Sequence, residues 1–111
     1  MLKCIAETLR KYPAGPLILR KSVSSYTFNN TKVSIPEKTF IWIPLYAIHH
    51  NPDIYPNPDA FIPERFNDDA VASRDSMHYL PFGDGPRNCI GTCLTILSYS
   101  YLFLNAAKIL H

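Results

Sequence analysis

Glycine and cysteine are both scarce in this chain, with four and three respectively among 111 residues. Three cysteines, an odd number in no dense framework, argue against a secreted disulfide scaffold and fit a reducing compartment. The sequon Asn29-Asn30-Thr31 is then expected to go unused. Charge of either sign is modest, and the net +2 is spread along the chain rather than gathered into a stripe. Nucleic acid is therefore not an expected partner. There is no internal repeat and no signal-peptide pattern: Met1 leads straight into helical periodicity, without basic start, apolar run or small-residue cleavage site, so the start is expected to be artificial. A chain this short makes one small domain, a fraction of what encloses a large cofactor together with its substrate.

What the chain has is apolar side chains and proline. Hydrophobic residues are 47% and charged residues 18%, a balance that supports a packed core and excludes a disordered tail. Ten prolines, concentrated between Pro36 and Pro86, predict a middle section of turns and extended segments. Before that section, Leu2, Ile5, Ala6 and Leu9 recur at helical spacing and Pro13 stops the pattern, predicting one amphipathic helix. Leu17 to Val23, Tyr26 to Phe28, Lys32 to Ile35 and Thr39 to Ile43 read as short strands of a small antiparallel sheet, with turn chemistry at Asn29-Asn30 and Pro36-Glu37-Lys38. Pro44 to Asn51 suits one or two helical turns, followed by an irregular path through Arg65 and Phe66 and a solvent-exposed excursion from Asn67 to Ser76. From Thr92 to Leu110 a mostly apolar stretch predicts a buried core helix; Ser98, Ser100, Asn105 and Lys108 weigh against a membrane span.

The chemistry concentrates between Phe82 and Gly91, in Phe82-Gly83-Asp84-Gly85-Pro86-Arg87-Asn88-Cys89-Ile90-Gly91. Here a cysteine lies between a glycine-rich turn and a predicted helix, where amide donors and the helix dipole stabilise negative charge on sulfur. Gly83 and Gly85 let the backbone bend around it, and Gly91 allows close packing under a flat group. Arg87 is suited to bidentate pairing with a carboxylate, and Phe82 to shielding the sulfur. Two other readings stand beside this one: a buried structural cysteine, and a zinc site combining Cys89 and Cys93 with His49, His50 or His78, for which no standard finger spacing exists. Glu7 and Arg10, three apart on the first helix, share one face.

The segment resembles the cysteine-loop signature of cytochromes P450: phenylalanine, two glycines, arginine, cysteine and glycine hold the family's relative positions at 82, 83, 85, 87, 89 and 91. Glu7-Thr8-Leu9-Arg10 resembles the family's structural glutamate-and-arginine helix, and Pro63-Glu64-Arg65-Phe66 its partner motif. The wording is similar to insect family-six and vertebrate family-three microsomal enzymes, over about Met1 to Gly91. The resemblance implies an α+β, C-terminal piece of the mainly helical P450 fold, divided into a helix over 1–13, a small sheet over 17–43, a proline-rich meander over 44–78, the cysteine loop over 79–91 and a divergent terminal helix over 92–111. It implies haem b as cofactor with Cys89 as axial iron ligand, contacts from Arg87, Arg20, Phe82, Gly83 and Gly91, and a buried charged network of Glu7, Arg10 and Arg65. Ala14 to Leu19 corresponds to a segment lining the substrate cavity; His49 and His50 are assigned local hydrogen bonding and no catalytic work.

By the same resemblance the complete enzyme is a haem-thiolate monooxygenase, oxidising lipophilic small molecules with molecular oxygen and electrons from NADPH-cytochrome P450 reductase. It is expected on the cytosolic face of the endoplasmic reticulum membrane, held by an N-terminal anchor outside these residues. After Gly91 the sequence departs from the family pattern at Thr92-Cys93-Leu94-Thr95. Frameshift, intron read-through and real divergence remain open there. The distal oxygen-activating helix is not among the 111 residues. The alternative expectation is therefore a truncated, catalytically inactive chain that at most binds haem, or a partner through exposed core surface, or is non-functional.

Overall fold

The computed structural model describes residues 1–109 of the chain. Helix α1 spans Leu2–Lys11 and ends where Tyr12 donates its amide to the Thr8 carbonyl, immediately before Pro13. Strand β1 (Ile18–Lys21) pairs antiparallel with β4 (Phe40–Ile43) in the register Ile18↔Ile43, Leu19↔Trp42, Arg20↔Ile41 and Lys21↔Phe40. Between them β2 (Tyr26–Thr27) and β3 (Ser34–Ile35) form a separate ribbon, so the single small sheet expected from sequence is split in two. The reason is local. After Ser22 bonds across to Thr39 and Lys38, the chain peels away through Val23 to Ser25, and the distal ribbon closes on Phe28, Thr31 and Val33 instead. Asn30 takes a φ of 60° in that turn, a conformation its short polar side chain tolerates.

A short helix α2 (Leu45–His49) follows the sheet, and the prolines then direct an irregular path to a 3₁₀ turn at Pro63–Phe66. Where the sequence predicted only an exposed excursion, the structure has a helix, α3 (Asp68–Ser73). Asn67 stands at its N-cap position with its side chain turned to Lys3 Nζ at 2.6 Å rather than capping, while Asp68 and Asp69 complement the helix's positive end. Helix α4 spans Thr92–Ile109; Leu110 and His111, which the sequence reading placed on the same helix, lie outside the described residues.

The core is small and unusually polar at its centre. Ile5 and Leu9 of α1 pack with Leu45, Tyr55, Phe66 and Leu80, but the largest fully buried side chains are Arg10, Tyr55, His49 and Glu7. Buried charge is tolerated only when paired and hydrogen-bonded, and this centre is built so. Long-range bonds hold the segments round it: Tyr79 Oη donates to the Ala6 carbonyl at 3.0 Å and Tyr55 Oη to the His78 carbonyl at 2.9 Å.

One expectation is overturned. Helix α4 is not a buried core helix, because no residue of known exposure along it is buried and Leu94, Leu97, Tyr101, Leu102 and Leu104 are all exposed. It is apolar on every side, the pattern of a helix covered all round, yet among the described residues α1 is what packs against it. An 18-residue helix is about 27 Å long, and the chain's radius of gyration is 16.9 Å, against about 13 Å for a compact chain of this length. No described helix is long and apolar enough to cross a membrane.

Candidate functional site

The cysteine loop is a closed turn. Gly83 donates its amide to the Leu80 carbonyl at 3.0 Å and takes a φ of 73°, and Gly85, at 77°, starts a 3₁₀ turn through Arg87. The loop is sealed by Cys89, whose amide donates to the Phe82 carbonyl at 2.9 Å. Only glycine adopts both conformations without strain, and Gly83 is doubly constrained, since a Cβ there would lie 3.2 Å from Arg20 Nη2. Cys89 is exposed, and Thr92, the first residue of α4, returns its hydroxyl to the Cys89 carbonyl at 2.7 Å. A Cβ on Gly91 would rest 3.7 Å from Cys89 Sγ, ordinary contact distance, so glycine here leaves the sulfur clear on that side.

The loop borders an open hollow of about 340 Å³. Five residues singled out from sequence meet there: Cys89, Arg87, Arg20, Phe82 and Gly83. Gly91 does not line the hollow but touches the sulfur's surroundings, as described. Ala14, Gly15, Leu17, Ile18 and Leu19 form the opposite wall. Arg20 reaches over the loop, donating from Nη2 to the Arg87 carbonyl at 3.3 Å and from Nη1 to the Leu19 carbonyl at 3.0 Å. Among the described residues neither Arg20 nor Arg87 has a carboxylate partner, although both guanidiniums border a second hollow beside the first.

On the far side of the loop lies the charged network. Arg10 grips Glu7 with both arms of its fork, Nε to Oε2 at 2.8 Å and Nη2 to Oε1 at 2.9 Å, with neither side chain exposed. The remaining Arg10 donors go to the carbonyls of His49 at 2.7 Å and Pro58 at 2.8 Å, and Glu7 Oε1 accepts the Ile62 amide at 3.0 Å. Arg65 joins more loosely: its Nε stands 3.6 Å from Glu7 Oε1, while its hydrogen bonds run to the carbonyls of Pro56 and Asn57.

A family-wide sequence model for cytochrome P450 matches residues 1–108, and so runs past Gly91 into the helix where the sequence reading found divergence. The chain belongs to the cytochrome P450 family. It is 49% identical over 88 residues to cytochrome P450 6A1 of Musca domestica, covering 77% of this chain and 17% of that protein. To the probable cytochrome P450 6a13 of Drosophila melanogaster it is 47% identical over 87 residues, 78% of this chain and 18% of the relative. Cytochrome P450 6k1 of Blattella germanica matches at 39% over 105 residues, 95% of this chain and 19% of the relative. The chain thus spans less than a fifth of the length of these curated relatives. Its elements form an α+β portion of the P450 fold, and membership implies a haem-carrying oxidoreductase family.

The residues present suit the haem-thiolate side of a P450 site. An exposed cysteine sulfur, an apolar wall and two arginines without protein carboxylates among the described residues would suit an iron ligand, a flat ring and acidic side arms. A zinc site finds no support in the donor set: no three His, Cys, Asp or Glu side chains converge among the described residues, and His49 is fully buried away from Cys89.

One residue of the site region was missed from sequence, and a second, His49, was given only a local hydrogen-bonding role. Arg74 is clamped between the rings of Tyr55 and Phe66, 5.0 and 4.8 Å from their centroids, and donates to the Arg65 carbonyl. Its signal, an arginine after a short acidic helix, is too common to read alone. His49 is the other. Its Nε2 accepts the Leu80 amide at 3.2 Å, and its ring stacks on Tyr79 at 5.5 Å. Burial holds its imidazole well below the ordinary range, at about 4, and the positive charges of Arg10, His50 and Arg74 act in the same direction while the Arg10 backbone opposes them. His50 bonds within its own helix, Nδ1 to the Tyr46 carbonyl at 2.9 Å.

Proposed function

We propose that this chain supplies the proximal, thiolate-bearing side of a P450 monooxygenase that oxidises lipophilic small molecules. The observation that carries the reading is Cys89, exposed at the rim of an apolar hollow and sealed into a glycine turn by its own amide. Cys89 Sγ would hold the iron of haem b, with Arg20 and Arg87 taking its carboxylates, Phe82 shielding the sulfur from water, and Gly83 and Gly91 leaving room for the ring. When bound, haem supplies redox-active iron for oxygen chemistry. The protein's part is to fix the sulfur, hold the acidic arms and present the aliphatic wall from Ala14 to Leu19 to an apolar ligand. Glu7, Arg10 and Arg65 act at a distance, by holding the meander against α1.

For the complete enzyme we propose electrons from NADPH-cytochrome P450 reductase and a place on the cytosolic face of the endoplasmic reticulum membrane, on the strength of family-six relatives. These 111 residues alone are proposed to bind haem without turning over substrate, because Cys89 and the fully exposed Ile90 stand open to water, where the activated group has no dry cavity.

The test is spectroscopic. The chain is loaded with haemin, reduced and exposed to carbon monoxide, and compared with Cys89→Ala. A thiolate-type band in the parent and its loss in the variant are expected; a band that survives the substitution overturns the ligand assignment.

A further inference from the structure

A neutral, fully buried histidine stands between the charged network and the cysteine loop, and the proposed site does not use it. Its backbone carbonyl receives Arg10 Nη1 at 2.7 Å, while its side-chain Nε2 receives the Leu80 amide at 3.2 Å. Leu80 in turn accepts the Gly83 amide, and two residues on from Leu80, Phe82 accepts the Cys89 amide. The chain of contacts therefore runs from the Glu7–Arg10 pair, through one residue, to the turn that carries the sulfur. No other side chain accepts the Leu80 amide, which is buried and would otherwise be orphaned.

We infer that His49 is a positioning residue for Cys89: its unprotonated Nε2 anchors the Leu80 end of the cysteine loop to the Arg10-bound helix α2 and so sets where the thiol stands. The inference rests on the reading of Cys89 as the haem ligand.

Accepting at Nε2 requires the ring proton to sit on Nδ1, and Nδ1 makes no hydrogen bond of ordinary geometry. The ring is thus held in the tautomer that leaves Nε2 free to accept, with the Arg10 backbone as the polar group near the imidazole. A phenyl ring would fill the same place between Tyr79 and Tyr55 but could not accept the Leu80 amide. Protonation would place a second hydrogen on Nε2, facing the Leu80 N–H, and remove the anchor. The groups facing the ring are Arg10 from α1, with Glu7 behind it, Tyr55 and Arg74 from the meander, Tyr79 from the loop's approach, and His50 on the same helix. Those cations add to burial in resisting the charge.

The experiment is amide hydrogen exchange on the full 111-residue chain without haem, comparing the parent with His49→Leu and His49→Gln. Glutamine returns an acceptor oxygen near the Nε2 position; leucine keeps bulk and removes the acceptor. Leucine is expected to speed exchange at the Leu80 and Cys89 amides at least tenfold while leaving the Ser22 amide, which bonds across the sheet, unchanged; glutamine is expected to behave as the parent. Equal exchange in parent and leucine variant, or equal loss in both variants, overturns the inference, the latter because packing alone would then suffice. Should the leucine variant unfold, so that Ser22 exchanges with the rest, acid titration decides. Relative to Ser22, the Leu80 and Cys89 amides of the parent should lose protection as pH falls through about 4, and those of the glutamine variant should show no such step. The same step in both overturns the inference. Because exchange is read without haem, failure here is distinguishable from failure of the Cys89→Ala spectrum.

Discussion

Removing the Glu7 carboxylate is the most severe single change available to this core. Arg10 is fully buried, and Glu7 supplies both oxygens of its fork as well as the acceptor for the Ile62 amide. Glu7→Ala strands a guanidinium away from water, which costs about 3–5 kcal/mol, a large share of the roughly 5–15 kcal/mol that holds a small domain together. With a urea dependence of about 1.5 kcal/mol per molar, the unfolding midpoint should fall by about 2–3 M. Circular dichroism at the helix band during a urea titration measures this directly. The double variant Glu7→Met with Arg10→Met sharpens the reasoning. For an isolated buried pair such a replacement is often neutral, but here it also orphans the carbonyls of His49 and Pro58 and the Ile62 amide. At about 1–3 kcal/mol for each unsatisfied group, the double variant should remain at least about 3 kcal/mol below the parent. A shift under about 0.5 M for Glu7→Ala, or a double variant as stable as the parent, would refute this account of the core.

Acid should destabilise the chain through His49. Its native pKa of about 4 lies below the ordinary 6.5, so the unfolded state binds the extra proton; this contribution is whole above pH 6.5 and falls by roughly 3 kcal/mol as pH drops to 4. Urea midpoints at pH 7 and 4 should show the drop, and His49→Gln should lack that part of it. Tyr79→Phe removes the bond to the Ala6 carbonyl and should lower stability by about 1 kcal/mol, again read from the midpoint. Gly83→Ala forces a Cβ into positive φ and against Arg20, so it should cost about 1–2 kcal/mol and weaken haem uptake in a haemin titration.

Local elements were legible in the sequence because their signals are local. Pro13 ends α1, and the strand cores 18–21 and 40–43 lie inside the predicted runs. The residues from Phe82 to Gly91 gave the family because glycines, arginine and cysteine at fixed offsets have few other uses. What did not show was whatever depends on partners far along the chain. Helix α3 has two aspartates in its first turn rather than an apolar period. His49 reads as one of two adjacent histidines, and only its contact with Leu80, 31 residues away, separates it from His50. The exposure of α4 was invisible for the converse reason: hydrophobicity announces that a surface wants covering, and nothing in the pattern says which residues cover it.

The bond from Tyr79 to the Ala6 carbonyl spans 73 residues, and it has a consequence in time. Helix α1 leaves the ribosome ahead of its anchor in the cysteine-loop approach, which follows only after the intervening sheet and meander, about 4–15 s later at ordinary synthesis rates. Glu7 and Arg10 can find each other within one helical turn at once, whereas the carbonyls and amide that complete their shell lie 39 to 55 residues further along the chain. The β1–β4 ribbon needs no such wait. The sulfur's seat thus sets only after the sheet and the meander that precede it have been made.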